Sequence, residues 1–383
     1  MIRKDAATPG GRKKVVYVVP HLSGDESEHF AHVPALLESL GARTDLVALV
    51  ERGAPPSSLP GVHAVCSVAG HRRAARFLGY IRAIHRLSRS GYRTYFLRYS
   101  RFLLVALIVT YPLYRPRILL WRSGTADLLE PGATRSLRAR LDDTVNYALS
   151  RCVHGFVTGP EAMVPVMRAR WRIPHRKMRL LYNDIDGDRF APPSPADRAE
   201  TRRRLGWREE EFVVLFVHRL SFRRGTRLLA PLLRAVRGRL DRPVRLVVAG
   251  DGPDRALLER LAAGEPGLEI LGAVPNRDLP PLYGAADCFL MPSYEEGFPR
   301  VLLEAMSTAL PIVTTRAGGS ADVVGPGYPY LCDTGDLDGL AAGTAAVACL
   351  PPSEREALGA RLRHRARERF SPQCAARMLE EIL

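Results

Sequence analysis

The sequence predicts an α/β protein made of two Rossmann-like, doubly wound domains in tandem. Short apolar runs rich in β-branched residues alternate with segments of helical periodicity, which is typical of a parallel sheet with crossover helices. This alternation pauses at a proline-rich polar stretch, residues 191–198, and then starts again. A length of 383 residues gives each half enough chain to bury a core of its own.

The first half begins with a flexible arm at 1–13, and its domain is expected to cover 14–190. The first apolar run, KVVYVV at 14–19, is stopped by Pro20. The predicted strands of this half are 14–19, 44–50, 92–100, 117–121, 154–159 and 178–183. The predicted helices are 30–42, 102–114, 134–151 and a segment that opens at Pro160.

The second half follows a linker at 191–210, and its domain is expected to cover 211–367. It repeats the strand and helix order of the first half without repeating its sequence. The predicted strands begin with a strand and loop at 211–220 and continue at 244–253, where the strand runs into a glycine turn, and at 268–274, 288–293 and 311–315. The predicted helices are 228–240, 256–264, 279–286 and 300–309.

The composition is that of a globular protein, with 46% hydrophobic and 25% charged residues and a mean hydropathy of −0.09. The six cysteines are scattered and form no C-x-x-C pair. This argues against a structural zinc site or a disulfide framework, and it favours a reducing compartment. The N-terminal residues lack the apolar stretch of a signal peptide, so a cytoplasmic location is expected.

The net charge of +16 favours anionic partners, which include nucleic acid, phospholipid and phosphorylated small molecules. The alternative is that most of these charges are arginines on exposed helix faces and bind nothing specific. Nucleic acid is not expected, because no basic patch interleaved with aromatic residues is present.

Two segments of the first half could contact a membrane. Residues 102–114 are apolar, but they contain a proline and are shorter than the roughly 20 residues that a spanning helix needs. We expect a buried helix there, with a membrane-dipping segment as the alternative. Residues 71–93 combine basic residues with apolar ones at helical spacing, which suits either peripheral contact with an anionic membrane or packing on the protein's own domain.

Ligands of open α/β sheets bind beyond the carboxyl ends of the strands, so the residues that follow each strand of the second half are the candidates. Arg219 and Arg224 lie in a loop that is expected to open a helix, and two guanidinium groups there could bind a diphosphate. The alternative is a solvated basic loop. The glycine turn Gly250-Asp251-Gly252-Pro253 would allow close approach of a ligand, although such turns are common.

The strongest signal is the segment 293–306, in which Glu296 precedes a predicted helix and Glu304 lies on it. Carboxylates accept hydrogen bonds from paired sugar hydroxyls, and eight helical residues would separate the two by about 12 Å. Glu304 stands among leucine, valine and methionine side chains, where a charge needs a partner. The alternative is two surface glutamates that favour a helix.

This segment resembles the E-x7-E motif of retaining GT-B glycosyltransferases, the large fourth family that belongs to glycosyl transferases group 1. The resemblance covers roughly residues 150–380, and it rests on several motifs in the family's order. They are Asn183-Asp184-Ile185-Asp186 with Phe190, His218-Arg219-Leu220 with Arg224-Gly225, Gly250-Asp251-Gly252-Pro253, Tyr283 with Ala286-Asp287, Pro292-Ser293, and Gly318-Gly319 with Asp322-Val323-Val324.

The resemblance implies that Glu296 contacts the hydroxyls of the donor sugar and acts in catalysis. It also implies that the backbone amides of Gly297 and Phe298 help to hold that sugar, and that Glu304 binds the ribose. Arg219 and Arg224 would bind the donor diphosphate and stabilise the leaving phosphate, with no metal and no cofactor required.

Three positions depart from the family pattern. His218 stands where the family usually has glycine, Arg224 where it has lysine, and Asp322 where it has glutamate. Arg224 keeps the positive charge, so its implied role with phosphate is retained. His218 narrows the loop and would alter the position of the donor.

The first half matches the family less well, and it is where the resemblance places the acceptor. Of the family's Gly-Gly loop after the first strand only Gly24 remains, in the loop that starts at His21. Residues 97–100 resemble an R-Y-S element of part of the family. After the 117–121 strand stands Arg122, which suggests an anionic acceptor or else a solvent-exposed side chain.

The resemblance therefore implies a GT-B fold with a central cleft, and a C-terminal helix at 368–383 that crosses back to the first domain. It implies transfer of a hexose from a UDP- or GDP-linked sugar to a small-molecule or lipid-linked acceptor hydroxyl with retention, in natural-product or cell-envelope glycan synthesis. The alternatives are a non-catalytic protein that binds anionic ligands or nucleic acid, and a sugar-nucleotide epimerase on the same fold.

Overall fold

The computed structural model describes residues 12–22, 33–68, 72–98, 100–122 and 137–383, with side chains described from 144 onward in the last range except at 150. These residues form two compact units. The first contains the described residues up to Tyr182 together with Pro372–Leu383, and the second contains Asn183–Ser371. Each unit is organised around one parallel sheet.

The first unit contains a seven-stranded parallel sheet in the order β3-β2-β1-β4-β5-β6-β7. Its strands are β1 (Lys14–Val19), β2 (Asp45–Val50), β3 (Ala64–Ser67), β4 (Thr94–Arg98), β5 (Arg117–Trp121), β6 (Gly155–Thr158) and β7 (Met178–Leu180). Its helices are α1 (Val33–Gly41), α2 (Arg73–Arg89), α3 (Arg101–Val109), α4 (Tyr111–Tyr114), α5 (Leu137–Cys152) and α6 (Met163–Trp171), with α15 (Pro372–Ile382) at the end of the chain.

The second unit contains a six-stranded parallel sheet in the order β10-β9-β8-β11-β12-β13. Its strands are β8 (Phe212–Val217), β9 (Val244–Ala249), β10 (Leu268–Gly272), β11 (Cys288–Met291), β12 (Ile312–Thr315) and β13 (Leu331–Cys332). Its helices are α7 (Pro195–Leu205), α8 (Leu229–Arg237), α9 (Arg255–Ala262), α10 (Leu279–Ala285), α11 (Arg300–Ser307), α12 (Ser320–Val324), α13 (Leu337–Cys349) and α14 (Pro352–Phe370).

The central strands of both sheets are buried on both faces. Every residue of β8 is buried, as are the last five of β1. Parallel sheets are covered by helices on both sides, which is why these strands are continuous apolar runs rather than alternating ones. The two doubly wound units confirm the predicted α/β class.

The C-terminal helix α15 belongs to the first unit, where it packs on α1. Ala376, Leu379 and Ile382 on α15 share one buried cluster with Leu37 and Leu40 of α1. α14 belongs to the second unit and ends at Phe370, so the chain passes from one unit to the other at Ser371 and Pro372.

The structure differs from the prediction at 102–114. We expected one buried helix, but the segment forms α3 and the short α4, separated at Thr110. Only one face of α3 is buried, and Val105, Val109 and Leu113 are exposed. The prediction of a fully buried helix was therefore wrong, because an apolar run alone does not show how many of its faces are covered.

A second difference concerns the expected linker at 191–210, which contains the helix α7. Ser194 caps this helix by accepting a hydrogen bond from the Asp197 amide, and Pro195 occupies its first turn. Serine followed by proline is therefore a helix start here rather than part of an irregular linker. Among the described helices, none combines the length and the apolar character needed to cross a membrane.

Candidate donor site

The candidate site lies at the carboxyl edge of the second sheet, at the point where the strand order reverses. β8 is paired with β9 on one side and with β11 on the other, so the crossovers from β8 and from β11 leave in opposite directions. Such a switch point opens a crevice beyond the strands, which is where open α/β sheets bind ligands. The loop after β8 carries His218 to Gly225, and the loop after β11 carries Pro292 to Pro299.

These two loops are joined by backbone contacts. The amides of Tyr294 and Glu295 both donate to the carbonyl oxygen of Arg223, at 2.9 and 3.2 Å. Gly225 has a φ of +73°, and a Cβ at this position would lie 2.1 Å from the carbonyl oxygen of Pro292. Only glycine allows this approach, so the Arg224-Gly225 pair fixes the distance between the loops.

Glu296 is the centre of the site, and only 4% of it is exposed. Its Oε1 accepts hydrogen bonds from Ser293 Oγ at 2.7 Å and from His218 Nε2 at 2.9 Å. Its Oε2 forms an ion pair with Arg224 Nη1 at 2.5 Å. The carboxylate is thus held by donors from both loops.

The neighbours of His218 assign its tautomer. The Arg219 amide donates to His218 Nδ1 at 2.8 Å, so Nδ1 is an acceptor and Nε2 carries the hydrogen that is donated to Glu296. Both ring nitrogens are therefore engaged within the site. Glycine, which the family usually has at this position, has no side chain and could not supply the hydrogen bond from His218 Nε2 to Glu296.

Electrostatics keep Glu296 ionised. Burial alone would raise the pKa of this carboxyl group, but His218, Arg224 and Ser293 together outweigh burial and leave the pKa below its ordinary value. The site therefore presents a negatively charged acceptor in a buried position.

The peptide groups that follow Glu296 are oriented by two further contacts. The carbonyl of Gly297 accepts from the Gly319 amide at 2.8 Å, and the carbonyl of Phe298 accepts from Asn183 Nδ2 at 2.9 Å. In a trans peptide the C=O and the next N–H point in opposite directions, so the Phe298 amide faces away from Gly319.

Glu304 lies in the second turn of α11 and is only 5% exposed. Its Oε2 accepts a hydrogen bond from the Tyr283 hydroxyl at 2.8 Å, and Asn276 Nδ2 lies 3.5 Å from its Oε1. Burial raises the pKa of Glu304, and these hydrogen bonds offset the rise only in part. The partner that a buried carboxylate needs is thus supplied by the protein itself.

The segment between the two glutamates is helical only in part. α11 begins at Arg300, so only the second half of the segment from Glu296 to Glu304 is helical. The helix therefore contributes four intervals, a rise of about 6 Å, and the residues before Arg300 supply the rest of the separation. Both carboxylates are buried in the same unit.

The two arginines of the predicted diphosphate site are placed differently from each other. Arg219 is exposed, whereas Arg224 is partly buried and also donates to the carbonyl of Glu295. α8 was expected at 228–240 and is observed from Leu229, after two short 3-10 turns that follow Ser221. The loop therefore offers guanidinium groups directly, and the amides at the start of α8 lie further along the chain.

Sequence reasoning did not assign roles to several residues that the structure brings to the two glutamates. Ser293 and His218 each stand one or two positions after a strand, which was the available signal. Tyr283 was noted as part of a motif, and Asn276 was not noted, because nothing local connects either one with Glu304.

In the first unit, the predicted acceptor residues are only partly described. His21 is half-buried in the loop after β1, and Gly24 lies outside the described residues. Arg122 is half-buried rather than solvent-exposed, with its guanidinium 5.0 Å from the centre of the Trp171 ring and its Nη1 3.3 Å from Asn146 Oδ1. Its contacts are thus those of a packed side chain.

The carboxyl edge of this sheet also carries Glu51, which the sequence did not single out. Glu51 follows β2 and accepts hydrogen bonds from Tyr80 and from Ser100, and burial raises its pKa. Ser100 also caps α3, and Arg98 stacks over Trp121 at 4.2 Å. The described part of the R-Y-S element therefore has structural contacts.

One family model matches the second unit. Residues 197–365 match the family model for glycosyl transferases group 1, and this range covers the loops of the candidate site. The second unit is therefore similar to members of that family. The described residues of the chain contain no group of three or more histidine, cysteine, aspartate or glutamate side chains placed to hold a metal ion.

Curated relatives are similar to this chain over part of their length. The chain is 33% identical over 156 residues to an uncharacterized glycosyltransferase from Methanocaldococcus jannaschii, covering 39% of each chain. It is 28% identical over 219 residues to a GDP-mannose-dependent monoacylated phosphatidylinositol monomannoside mannosyltransferase from Corynebacterium glutamicum, covering 55% of this chain and 56% of that one. It is 32% identical over 192 residues to the 2-deoxystreptamine glucosyltransferase of Streptomyces kanamyceticus, covering 48% of each. These matches span about two fifths to three fifths of the relatives' length.

Solved structures show the fold. The chain superposes on Anabaena HepE in complex with UDP and glucose with a TM-score of 0.72 and 19% identity, over 96% of this chain and 98% of that one. It superposes on sucrose-phosphate synthase from Thermosynechococcus elongatus with a TM-score of 0.75 and 19% identity, over 97% and 98%. The chain has the GT-B fold.

Proposed function

We propose that this protein is a glycosyltransferase that moves a hexose from a UDP- or GDP-linked sugar to an acceptor hydroxyl with retention of configuration. The observation that carries the proposal is the buried, ionised Glu296 at the switch point of the second sheet, held by His218, Ser293 and Arg224. A charged acceptor that is fixed in this way suits a ligand with several hydroxyl groups.

Glu296 would accept hydrogen bonds from hydroxyls of the donor sugar. Oε1 already accepts from Ser293 and His218, so a sugar hydroxyl would donate to Oε2, which pairs with Arg224 and has more than one acceptor direction. The amides of Gly297 and Phe298 follow directly in the chain and would hold the same sugar. The ion pair between Glu296 and Arg224 would then join the sugar site to the diphosphate site.

Arg219 and Arg224 would neutralise the diphosphate. A guanidinium group has five N–H donors, so Arg224 can keep its contact with Glu296 and still donate to phosphate oxygens. Arg219 is exposed in the same loop and would add a second positive charge. Charge that develops on the leaving phosphate would be stabilised by these two side chains, without a metal ion or a cofactor.

Glu304 would accept a hydrogen bond from the ribose of the donor. Tyr283 and Asn276 hold its carboxylate in one orientation, which lowers the entropic cost of binding. The relatives named for GDP-mannose and the HepE complex with UDP support a nucleoside diphosphate as the carrier.

Retention would follow from attack on the face that the phosphate leaves. The bond between the anomeric carbon and the phosphate oxygen breaks, the bond to the acceptor oxygen forms, and the acceptor proton passes to a phosphate oxygen. His218 is not proposed as the base, because both of its ring nitrogens are engaged by Arg219 and Glu296. The chain's part in this step is to position the donor and to stabilise charge.

The acceptor would be a small molecule or a lipid-linked molecule, bound near His21 and Arg122 in the first unit. Relatives are named for a phosphatidylinositol mannoside and for 2-deoxystreptamine, which supports cell-envelope or natural-product glycan synthesis. We propose a cytoplasmic location with peripheral contact to the inner face of the membrane, in keeping with the basic character of the chain.

A thermal-shift screen with UDP, GDP and other nucleoside diphosphates tests the donor site. A ligand at a hundred times its Kd stabilises the folded state by about 2.7 kcal/mol, so at least one diphosphate should raise the melting temperature by several degrees. Arg219→Ala should reduce this shift, whereas Arg204→Ala, an exposed arginine on α7, should not. The donor site is refuted if no nucleoside diphosphate raises the melting temperature more than inorganic pyrophosphate does.

A further inference from the structure

The first unit has a pocket of about 580 Å³ at the amino edge of its sheet. Ile108 and Tyr111 line one wall and come from α3 and α4, while Val153 precedes β6. The lining is mainly apolar, and a pocket of this volume is large enough for part of a lipid or drug-sized ligand.

Positive charge surrounds this pocket. Three cationic side chains line the pocket. Arg151 lies in the last turn of α5, and Arg176 and Lys177 come directly before β7. No carboxylate is among its described lining residues. Burial, together with the neighbouring Arg176 and Arg151, lowers the pKa of Lys177, so the cations disfavour one another and an anion would relieve them.

An exposed apolar face continues from the pocket. Phe102, Val105 and Val109 are spaced by three and four residues, so they form one stripe on α3, and all are exposed. Val109 is 60% exposed and Leu113 on α4 is 77% exposed. Tyr111 is exposed as well and lines the pocket, so the face and the pocket are contiguous.

The charge of the surrounding chain indicates what covers this face. Residues 71–122 contain twelve arginines and no aspartate or glutamate. A second copy of the chain would bring the same positive charge to the interface, which opposes self-association. An apolar face bordered by cations is the pattern of surfaces that lie on anionic lipid.

We propose that this pocket and the α3–α4 face form a docking site for an anionic phospholipid bilayer. The apolar side chains of α3 and α4 would enter the boundary between head groups and acyl chains. Arg151, Arg176 and Lys177 would bind a lipid phosphate at the pocket. This assigns the contact to α3 and α4. On α2, Ile84 and Leu87 are buried within the first unit, and Leu78 is the large apolar side chain that is exposed there.

The docking site is independent of the proposed sugar transfer. Val153, His154 and Lys177 precede the strands β6 and β7, so the pocket lies at the amino edge of the sheet. His21 and Arg122 follow strands and lie at the carboxyl edge. A strand of five residues spans about 17 Å, so a lipid at the pocket leaves the other edge open.

Co-sedimentation with vesicles tests the site on the full chain. The wild-type protein should partition at least tenfold more strongly onto equimolar phosphatidylglycerol and phosphatidylcholine than onto phosphatidylcholine alone. Val109→Ser combined with Leu113→Ser should reduce partitioning at least tenfold, because both side chains are exposed and their loss leaves the core intact. Arg176→Glu should also reduce it, while Arg204→Glu makes the same charge change on α7 and should not.

Three outcomes would overturn the proposal. The first is equal partitioning onto the two vesicle types, and the second is unchanged partitioning of the Val109→Ser, Leu113→Ser variant. The third is a wild-type dimer in light scattering that this variant converts to a monomer, which would assign the face to self-association. The shift in melting temperature with nucleoside diphosphates should be the same in wild type and variant, so failure of docking is distinct from failure of the donor site.

Discussion

Glu296 and Glu304 are both buried, but their surroundings shift the pKa values of the two carboxyl groups in opposite directions. Glu296 lies against Arg224 and a hydrogen-bond-donating His218, and its pKa is lowered. Among the described residues, the hydrogen bonds to Glu304 come from the uncharged Tyr283 and Asn276, and burial raises its pKa in spite of the charge of Arg300. The first is therefore fixed as an anion, while the second is costly to ionise until a ligand donates to it.

Glu304→Gln should change stability in a manner that depends on pH. The folded pKa of Glu304 is raised, so the folded state holds a proton that the unfolded state has already lost as pH rises above about 4.5. The contribution of Glu304 to the free energy of unfolding of the wild type therefore falls as pH rises, by about 1.4 kcal/mol for each pH unit up to the raised pKa. Relative to the wild type, the free energy of unfolding of the variant should therefore increase as pH rises from about 4.5 up to the raised pKa of Glu304, measured by urea denaturation at a series of pH values.

Glu296→Gln supplies a control of opposite sign. Its folded pKa is lowered, so its contribution to stability is present above the unfolded pKa and is lost as pH falls. This variant should be less stable than the wild type at neutral pH, and the difference should shrink in acid. A difference for Glu304→Gln that stays constant across the pH range would contradict the account of that residue.

At the scale of elements, the positions of most strands could be predicted from the sequence, but the order in which the strands pair within each sheet could not. Runs such as 14–19 and 117–121 match the observed strands to the residue, because buried parallel strands are continuous apolar runs. The pairing of β8 with β11 joins residues more than 70 positions apart, and no local pattern encodes it. The contacts of Glu296 with His218 depend on that pairing, which is why the sequence did not predict them.

Smaller elements were missed for local reasons. β3 is only four residues long, AVCS, and only Cys66 in it is buried, so its apolar run is too short to stand out. The exposed side of α3 was missed because its sequence is apolar on every face. Burial of Glu304 was expected from its apolar neighbours, yet the Tyr283 hydroxyl that satisfies it comes from α10.

Gly318→Ala tests the loop that supports Glu296. Gly318 has a φ of +51°, and a Cβ there would lie 2.0 Å from the carbonyl oxygen of Glu296. The strain and the collision should lower the free energy of unfolding by about 2–5 kcal/mol and weaken binding of nucleoside diphosphates. Gly264→Ala is the matched control, because a Cβ there meets nothing within 4 Å. Equal stability of the two variants would show that the loop is not held as described.

At the scale of the whole molecule, the two units differ in how well they match known proteins and the predicted sites. The family match lies in the second unit, where the predicted donor residues are buried or grouped at one sheet edge. The first unit has the same doubly wound architecture, but the residues expected for the acceptor are packed side chains or lie outside the described residues. Proteins that share a fold can catalyse different reactions. The fold determines where a ligand binds, whereas particular side chains determine which ligand it is.

Analysis of transfer products tests the central claim most directly. The protein is incubated with a panel of UDP- and GDP-linked sugars and candidate acceptors, and products are identified by mass spectrometry and by the anomeric signals in NMR. We expect a glycosylated product with the anomeric configuration of the donor, formed at least about a hundredfold more slowly by Glu296→Gln. Glu259→Gln, an exposed glutamate on α9, should retain the wild-type rate. A product of inverted configuration, or a Glu296→Gln variant as active as the wild type, would contradict the account.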